Sequence, residues 1–187
     1  MGKRQDQASI TKIKIINSAK DLIKTKGIED VSVDEITKRA GVAKGSFYVH
    51  FEKKTDIINE IGYIELKQLY DDVLKLSNNR LIEKVDYFYY RYKEIFISLG
   101  VEICKCLLQN NLNCRCRLEY DLNAIKLILN NSNDELKEEV NINKLSNYII
   151  SQIYGINLMW IMSDGNTEFL DDFDASKILK PYLKEQK

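Results

Sequence analysis

The segment VSVDEITKRAGVAKGSFYVHFEKK, residues 31–54, decides the fold of the N-terminal part of the chain. Ser32 and Glu35 have the S-x-x-E spacing of a capping box, in which each side chain accepts a hydrogen bond from the other residue's backbone N–H. Gly41 stands where the helix must end in a left-handed residue, because glycine adopts a positive φ without steric cost. We predict a second helix at residues 44–50. Two short helices joined by a turn with glycine are typical of a helix-turn-helix motif.

A longer part of this segment, GVAKGSFYVHFEKKTDII, carries a family resemblance. Its glycine, aromatic pair, His-Phe and lysine resemble the helix-turn-helix signature of the TetR family of bacterial transcriptional repressors. The resemblance covers roughly residues 10–60 and implies an all-α fold. A three-helix helix-turn-helix DNA-binding domain at residues 1–54 would precede a helical ligand-binding and dimerisation domain at residues 55–187. The whole chain would have about nine helices.

Composition agrees with a helical protein. The chain has 187 residues and one proline, Pro181, and no stretch alternates apolar and polar residues over more than a few positions, so long helices are expected. The polar N-terminus lacks the apolar core of a signal peptide. No apolar run approaches the roughly 18 residues that span a bilayer. We therefore expect a cytoplasmic protein that does not contact the membrane.

Charge is distributed unevenly along the chain. Lys and Arg number 28, as do Asp and Glu, so the formal net charge is zero. Residues 1–54 contain twelve basic and seven acidic residues, a net charge of +5, and the rest of the chain therefore carries −5. A basic N-terminal domain before an acidic one indicates that the first contacts phosphate and the second does not.

The predicted second helix of the motif has one inward and one outward side. Phe47 and Phe51, at i and i+4, should face the domain core. Gly45 allows the backbone to approach the duplex closely, although a short helix also tolerates glycine. The resemblance implies backbone contacts to DNA from Tyr48 and His50. We predict a DNA-binding set consisting of Lys38, Arg39, Lys44, Gly45, Ser46, Tyr48, His50, Lys53 and Lys54, with Lys44 and Ser46 as the best candidates for base contact.

One position departs from the family pattern. Ala43 stands where the family usually has Ser or Thr just before the recognition helix. Alanine offers no capping hydroxyl, which costs a helix about 0.5–2 kcal/mol, and it offers no phosphate contact.

Apolar periodicity predicts the remaining helices. Residues 1–8 should form a flexible basic arm, followed by helices at residues 9–26, 55–76, 81–99, 115–130, 142–163 and 171–184. The first of these has an apolar stripe made of Ile13, Ile16, Ala19, Leu22 and Ile23. Residues 77–80 should be a break between helices.

Two sets of candidates lie in the second domain. Aromatic side chains would suit a flat or amphipathic ligand, or they simply pack in a bundle core; the ligand candidates are Tyr87, Tyr90, Phe96, Tyr120 and Trp160. The resemblance implies that the last two helices form a dimer interface, for which the candidates are Ile149, Ile153, Ile156, Met159 and Leu179. Gly155 would allow two helices to approach closely there.

Four cysteines, Cys104, Cys106, Cys114 and Cys116, form two C-x-C pairs. They are ordinary packing or surface residues, thiol sensors or soft-metal ligands. Residues at i and i+2 point to different sides of a helix, so the pairs would converge only if residues 110–113 form a turn. The C-x-C spacing differs from the C-x₂-C of common zinc sites. We predict neither a metal nor a cofactor.

These features favour a DNA-binding transcriptional regulator. The resemblance implies a homodimeric repressor that a small-molecule effector releases from a palindromic double-stranded operator. The alternatives are a second domain that serves only dimerisation or protein docking, or one that senses thiol oxidation. An enzyme is disfavoured because His50 is the sole histidine and lies in the DNA-binding motif.

Overall fold

The computed structural model describes residues 3–76, 79–113 and 116–185, and the chain within these ranges is all-α, as predicted. Its helices are α1 (Lys3–Lys26), α2 (Val33–Ala40), α3 (Lys44–Tyr48), α4 (Asp56–Val73), α5 (Leu81–Leu99), α6 (Val101–Asn113), α7 (Cys116–Asn130), α8 (Ile142–Met162) and α9 (Ala175–Leu179). Short 3₁₀ turns lie at Thr167–Asp171 and Lys180–Tyr182. The chain divides into two compact units, Met1–Glu65 with Ser98–Asn110, and Leu66–Ile97 with Asn111–Lys187.

Helix α1 is longer than predicted and uses a different stripe. It begins at Lys3, so the described part of residues 1–8 is helical, whereas a flexible arm was expected. The segment contains no proline or glycine after residue 2. The negative charge of Asp6 in the first turn stabilises the helix by interacting with the positive end of its dipole. Ile13 is 53% exposed, whereas Ile15 is fully buried. The buried stripe is therefore Ile15, Ile16, Ala19 and Ile23.

Helix α2 has the termini that the sequence predicts. The Glu35 N–H donates to Ser32 Oγ at 3.1 Å, and the Ser32 N–H donates to Glu35 Oε2 at 3.0 Å. Gly41 ends the helix with φ +67°, and its N–H bonds back to the Lys38 carbonyl. Ala43 precedes α3 without a side-chain cap. Helix α3 is two residues shorter than predicted, and Val49 and His50 follow it.

The capping box of α2 predicts a pH dependence of stability. A hydrogen bond from Lys26, followed by bonds from Ser32, lowers the pKa of Glu35 from 4.5 to about 2. A carboxyl whose pKa is lowered on folding stabilises the protein above its unfolded pKa, and this contribution is lost as the pH falls from 4.5 towards 2. Glu35→Gln keeps a capping acceptor and should flatten the pH dependence of stability in this window. Urea unfolding of wild type and Glu35→Gln at several pH values measures this pH dependence. An equal pH dependence in the two proteins would contradict the attribution to Glu35.

The C-terminal part of the second unit differs from the single helix predicted at 171–184. Asp174 has extended backbone and caps α9 through the Lys177 N–H, so the helix begins only at Ala175. Pro181 lacks an N–H donor and cannot continue a regular helix. Beyond it, Leu183 is extended and forms an isolated bridge with Leu136.

Predicted helices 55–76, 81–99 and 142–163 correspond to α4, α5 and α8 within three residues at each end. Residues 77, 78, 114 and 115 lie outside the described chain, which leaves half of the predicted break and the predicted start of the helix at 115–130 untested.

The cysteines that the structure describes are in helices. Residues 110–113 continue α6 instead of forming a turn. Cys104 and Cys106 are buried, and burial raises the pKa of the Cys106 thiol, which disfavours the reactive thiolate. Cys114 is outside the described residues. Within the described chain, no group of three or more His, Cys, Asp and Glu side chains could hold a metal ion.

Candidate nucleic-acid interface

The orientation of α3 is set by two buried phenylalanines. Phe47 is fully buried and Phe51 nearly so, and their ring centroids are 5.4 Å apart. The Lys12 ammonium lies 5.9 Å from the Phe51 ring centroid, a cation–π contact that links α1 to this cluster. Because these side chains anchor one side of α3, its other side must face outward.

The outward side of α3 is a continuous surface. Its exposed members recur at i, i+1, i+4 and i+5 and are Lys44, Gly45, Tyr48 and Val49. Ser46 and His50 are half-buried at its edges. A Cβ added at Gly45 would meet no atom within 4 Å, so packing within the subunit does not require glycine at this position. We call Lys44, Gly45, Tyr48 and Val49 the outer face of α3.

Two of the predicted DNA-binding cations already have acidic partners. Lys44 Nζ lies 3.0 Å from an Asp34 carboxylate oxygen, and Arg39 lies 3.0 Å from Asp21. The hydrogen bond to Asp34 raises the pKa of Lys44, so this lysine stays charged. All four side chains are more than half exposed. Exposed pairs contribute only about 0–1 kcal/mol, so either cation can exchange its carboxylate for a nucleic-acid acceptor at little cost.

Lys54 differs from the other predicted contacts because its ammonium is engaged within the first unit. It donates to the carbonyl oxygens of Ile28, Glu29 and Val31 at 2.7, 3.0 and 3.3 Å. These bonds hold the connection between α1 and α2. A phosphate contact from Lys54 would have to replace one of them. Lys38 and Lys53 are exposed.

Sequence reasoning missed Val49 on the outer face of α3. Its side chain is 76% exposed, and its backbone continues the helical geometry of α3, with φ −68° and ψ −29°. The signal was available in the spacing, because Val49 lies five residues after Lys44 and one after Tyr48, away from Phe47 and Phe51.

The predicted ligand residues do not lie in one place. Phe96 and Trp160 are buried with ring centroids 6.4 Å apart. Tyr90 and Tyr120 are mostly exposed, and Tyr120 stacks on Tyr70. Tyr87 is half-buried and its hydroxyl faces Asp72 at 3.5 Å.

A buried carboxylate in the second unit was also missed. Asp121 is completely buried, and it accepts hydrogen bonds from the hydroxyls of Tyr70 at 2.6 Å, Tyr92 at 3.3 Å and Tyr154 at 2.5 Å. Tyr92 stacks on Phe96 with 4.7 Å between ring centroids. The sequence did contain a signal for this burial. Asp121, Ile125 and Ile128 are spaced at i, i+4 and i+7, which places the acid on the same face of α7 as the two buried isoleucines.

Two further polar atoms in the second unit have no hydrogen-bond partner in the described chain. They are Asn157 Oδ1 and Trp160 Nε1, both buried on α8. Leaving a buried donor or acceptor unpaired costs about 1–3 kcal/mol, so each atom favours a bound polar group. Asn157 Oδ1 is a hydrogen-bond acceptor and Trp160 Nε1 is a donor.

The predicted dimer residues fall into two groups. Ile149, Ile153 and Leu179 are fully buried within the subunit itself, which leaves them no surface for a second copy. Ile156 is half-buried and Met159 is half-exposed. The exposed apolar residues of α8 are Tyr148, Leu158, Met159 and Met162, and Gly155 lies among them.

Comparison with known proteins identifies the first unit. The family model described as bacterial regulatory proteins, tetR family, matches residues 15–61, which include α2, the turn at Gly41 and α3. Residues 15–61 match the TetR-family DNA-binding domain. Relatives of this domain include the HTH-type transcriptional regulator AcrR of Shigella flexneri, 37% identical over 59 residues, and the Transposon Tn10 TetC protein of Escherichia coli, 39% identical over 56 residues.

These two TetR-family matches cover 32% and 30% of this chain and 27% and 28% of the relatives. The chain thus spans under a third of the length of each of these two relatives.

Solved structures extend the TetR-family likeness to the whole fold. A SmeT–triclosan complex matches with a TM-score of 0.71 at 15% identity, covering 94% of this chain and 92% of that one. FadR of Thermus thermophilus in complex with lauroyl-CoA matches with a TM-score of 0.68 at 17% identity, covering 94% and 97%. At such identities the likeness concerns the fold alone. No helix in the described residues is long and apolar enough to cross a membrane.

Proposed function

We propose that the chain is a homodimeric transcriptional repressor of the TetR family that a small-molecule effector releases from a palindromic DNA operator. The observation that carries the proposal is the outer face of α3, which presents Lys44, Gly45 and Tyr48 from a domain of this family. Regulators of this kind are DNA-binding proteins rather than enzymes, and they act in the cytoplasm. Residues 1–54 would bind the operator, and residues 55–187 would bind the effector and the second copy.

Operator binding would follow from helix insertion and charge. Each copy would place α3 in a major groove, and two-fold symmetry makes the half-sites about 34–36 Å apart or a multiple of that. Lys38, Arg39 and Lys53 would contact phosphates beside the groove, together with Tyr48 and His50. Since each neutralised phosphate releases counterions, affinity should fall steeply with salt. Lys44 and Ser46 would contact base edges.

The effector would act on the second unit. The unpaired polar atoms of Asn157 and Trp160, beside the aromatic pair Phe96 and Trp160, support a ligand with one donor and one acceptor on a flat apolar body. Triclosan and lauroyl-CoA in the structural neighbours show that this fold accommodates small molecules in those proteins. An effector that binds one conformation more tightly shifts the population away from the DNA-competent one, typically by 1–3 kcal/mol.

Dimerisation would use the exposed apolar face of α8. Tyr148, Gly155, Met159 and Met162 recur at steps of seven, four and three residues and so share one side of the helix. A Cβ added at Gly155 would meet no atom within 4 Å. Glycine within a helix costs about 1 kcal/mol relative to alanine, and close approach of a second α8 is a reason to retain it.

Gly155→Ala is therefore expected to stabilise the folded monomer but to weaken dimerisation. Higher helix propensity should stabilise the folded monomer by up to about 1 kcal/mol, while the added methyl group should weaken the dimer by about 1–3 kcal/mol. Sedimentation across a dilution series measures the dimer, and urea unfolding at low concentration measures the monomer. Asn143→Ala is a control on the same helix, about 120° away from Gly155. Unchanged dimerisation in Gly155→Ala would contradict the placement of the interface.

A mobility-shift assay tests the proposed function directly. The full chain is mixed with duplexes from the region upstream of its own gene, in excess non-specific DNA. A shifted band that resists the competitor, with two symmetric protected half-sites, is expected. Candidate effectors should abolish the shift; a second unit that serves only dimerisation or docking predicts a shift that no small molecule changes. Absence of any sequence-specific shift would contradict the proposal.

A further inference from the structure

Apolar surface dominates one end of the outer face of α3. Lys44 supplies the only charge on this face and lies at its start, whereas Tyr48 and Val49 lie one turn later. Tyr48 is 54% exposed, and its ring forms a T-shaped pair with the Phe47 ring, with 5.3 Å between centroids. Val49 is the most exposed aliphatic residue described in the first unit. The face therefore pairs a cation with an apolar patch.

Helical geometry extends through Val49. The Val49 N–H donates to the Gly45 carbonyl at 3.2 Å, so the two residues are stacked one turn apart. Gly45 contributes no side chain and meets nothing within 4 Å. A base edge that approaches this end of the helix would therefore reach the Val49 methyl groups without obstruction from Gly45.

The major groove offers one apolar group, the C5-methyl of thymine, and lysine pairs with the O6 and N7 atoms of guanine. We propose that Val49 is a specificity-determining residue that contacts a thymine methyl in each half-site. This assignment rests on the proposed operator binding and goes beyond it by naming the base. Five residues separate Lys44 from Val49, a rise of about 7.5 Å along the helix. At about 3.4 Å per base pair, the thymine lies about two base pairs from the position that Lys44 contacts.

Replacement of single thymines by uracil tests this assignment, because it removes only the methyl group. The operator is first recovered with the full wild-type chain from a random duplex library. Each dT in the half-site is then replaced by dU, one position at a time. Wild type should lose roughly three- to fivefold in affinity at one position, the effect of one buried methyl group. That position should lie about two base pairs from the one at which Lys44→Ala loses base preference.

Variants at residue 49 make the assignment falsifiable. Val49→Ala should bind the dT and dU operators equally well, whereas Val49→Thr keeps one methyl group and should retain most of the dU penalty. Ile64→Ala, which alters an exposed β-branched residue on α4, is the matched control and should keep the full penalty. Val49 is mostly exposed, so its substitution should leave folding intact.

The outcomes separate this assignment from the function on which it rests. A dU penalty that persists in Val49→Ala, or an operator in which no dT→dU change alters wild-type affinity, would overturn the thymine contact while leaving operator binding in place. Failure to recover any operator would overturn the proposed function and the thymine contact together. A penalty confined to one position and lost in Val49→Ala would establish the contact.

Discussion

Asp121→Ala is expected to lower the free energy of unfolding by about 3–5 kcal/mol. The carboxylate is completely buried and accepts hydrogen bonds from Tyr70, Tyr92 and Tyr154. Hydrogen bonds to charged groups contribute about 1.5–3 kcal/mol each, and removing a shared acceptor leaves its donors unsatisfied. Some of this loss should be recovered, because Tyr70 and Tyr154 are only partly buried and water can reach their hydroxyls.

Urea unfolding of wild type, Asp121→Ala and Tyr70→Phe measures this effect. Tyr70→Phe removes one donor and leaves the carboxylate in place, so it should cost about 1.5–3 kcal/mol, at most about as much as Asp121→Ala. An Asp121→Ala variant within about 0.5 kcal/mol of wild type would show that the tyrosines find other partners and that Asp121 is not structural.

Phe47→Ala is expected to cost about 3–5 kcal/mol and to abolish operator binding. Phe47 is fully buried and its ring contacts the rings of Phe51 and Tyr48, so truncation removes its transfer free energy and leaves a cavity. The outer face of α3 depends on this anchor for its orientation. DNA affinity should therefore fall even at temperatures where the variant remains folded.

Val49→Ala is the matched comparison for Phe47→Ala, since the two residues lie on opposite sides of one short helix. Val49 is mostly exposed, so its truncation should change stability by no more than about 0.5 kcal/mol. Thermal unfolding together with operator titration separates the two effects. A Phe47→Ala protein with wild-type stability and affinity would show that α3 is held by other contacts.

The DNA-binding motif could be predicted because its signals are local. Ser32 and Glu35 are three residues apart, and Gly41 supplies the positive φ that ends α2. Phe47 and Phe51 lie one turn apart and indicate which side of α3 is buried. Such signals operate within a few residues, where intrinsic preference and spacing decide the outcome.

The second unit could not be predicted to the same degree because its interactions are distant in sequence. Asp121 receives its hydrogen bonds from α4, α5 and α8, and the nearest of the three donors is 29 residues away. Burial of Ile149 and Ile153 depends on which of the apolar sides of α8 packs against its own subunit. Periodicity shows that α8 is apolar over a wide arc, but it does not separate the core side from an interface.

The ion pairs on the DNA-binding domain could not be predicted from the spacing of residues in the sequence either. Asp21 and Arg39 lie on different helices 18 residues apart, and Lys44 meets Asp34 across the turn. Lys54 was predicted to contact DNA, whereas its ammonium bonds three carbonyls of the α1–α2 connection. The sequence shows that a lysine lies at this position, but the tertiary structure determines which acceptors its ammonium group binds.

The affinity of Tyr48→Ala for the operator, compared with that of Tyr63→Ala, tests the central claim most directly. The two tyrosines are 54% and 53% exposed, and Tyr63 lies on α4 rather than on the outer face of α3. We expect Tyr48→Ala to bind the operator roughly tenfold or more weakly, a loss of about 1.4 kcal/mol or more, while Tyr63→Ala binds like wild type. Equal affinity of Tyr48→Ala and wild type, or an equal loss in both variants, would contradict operator binding through the outer face of α3.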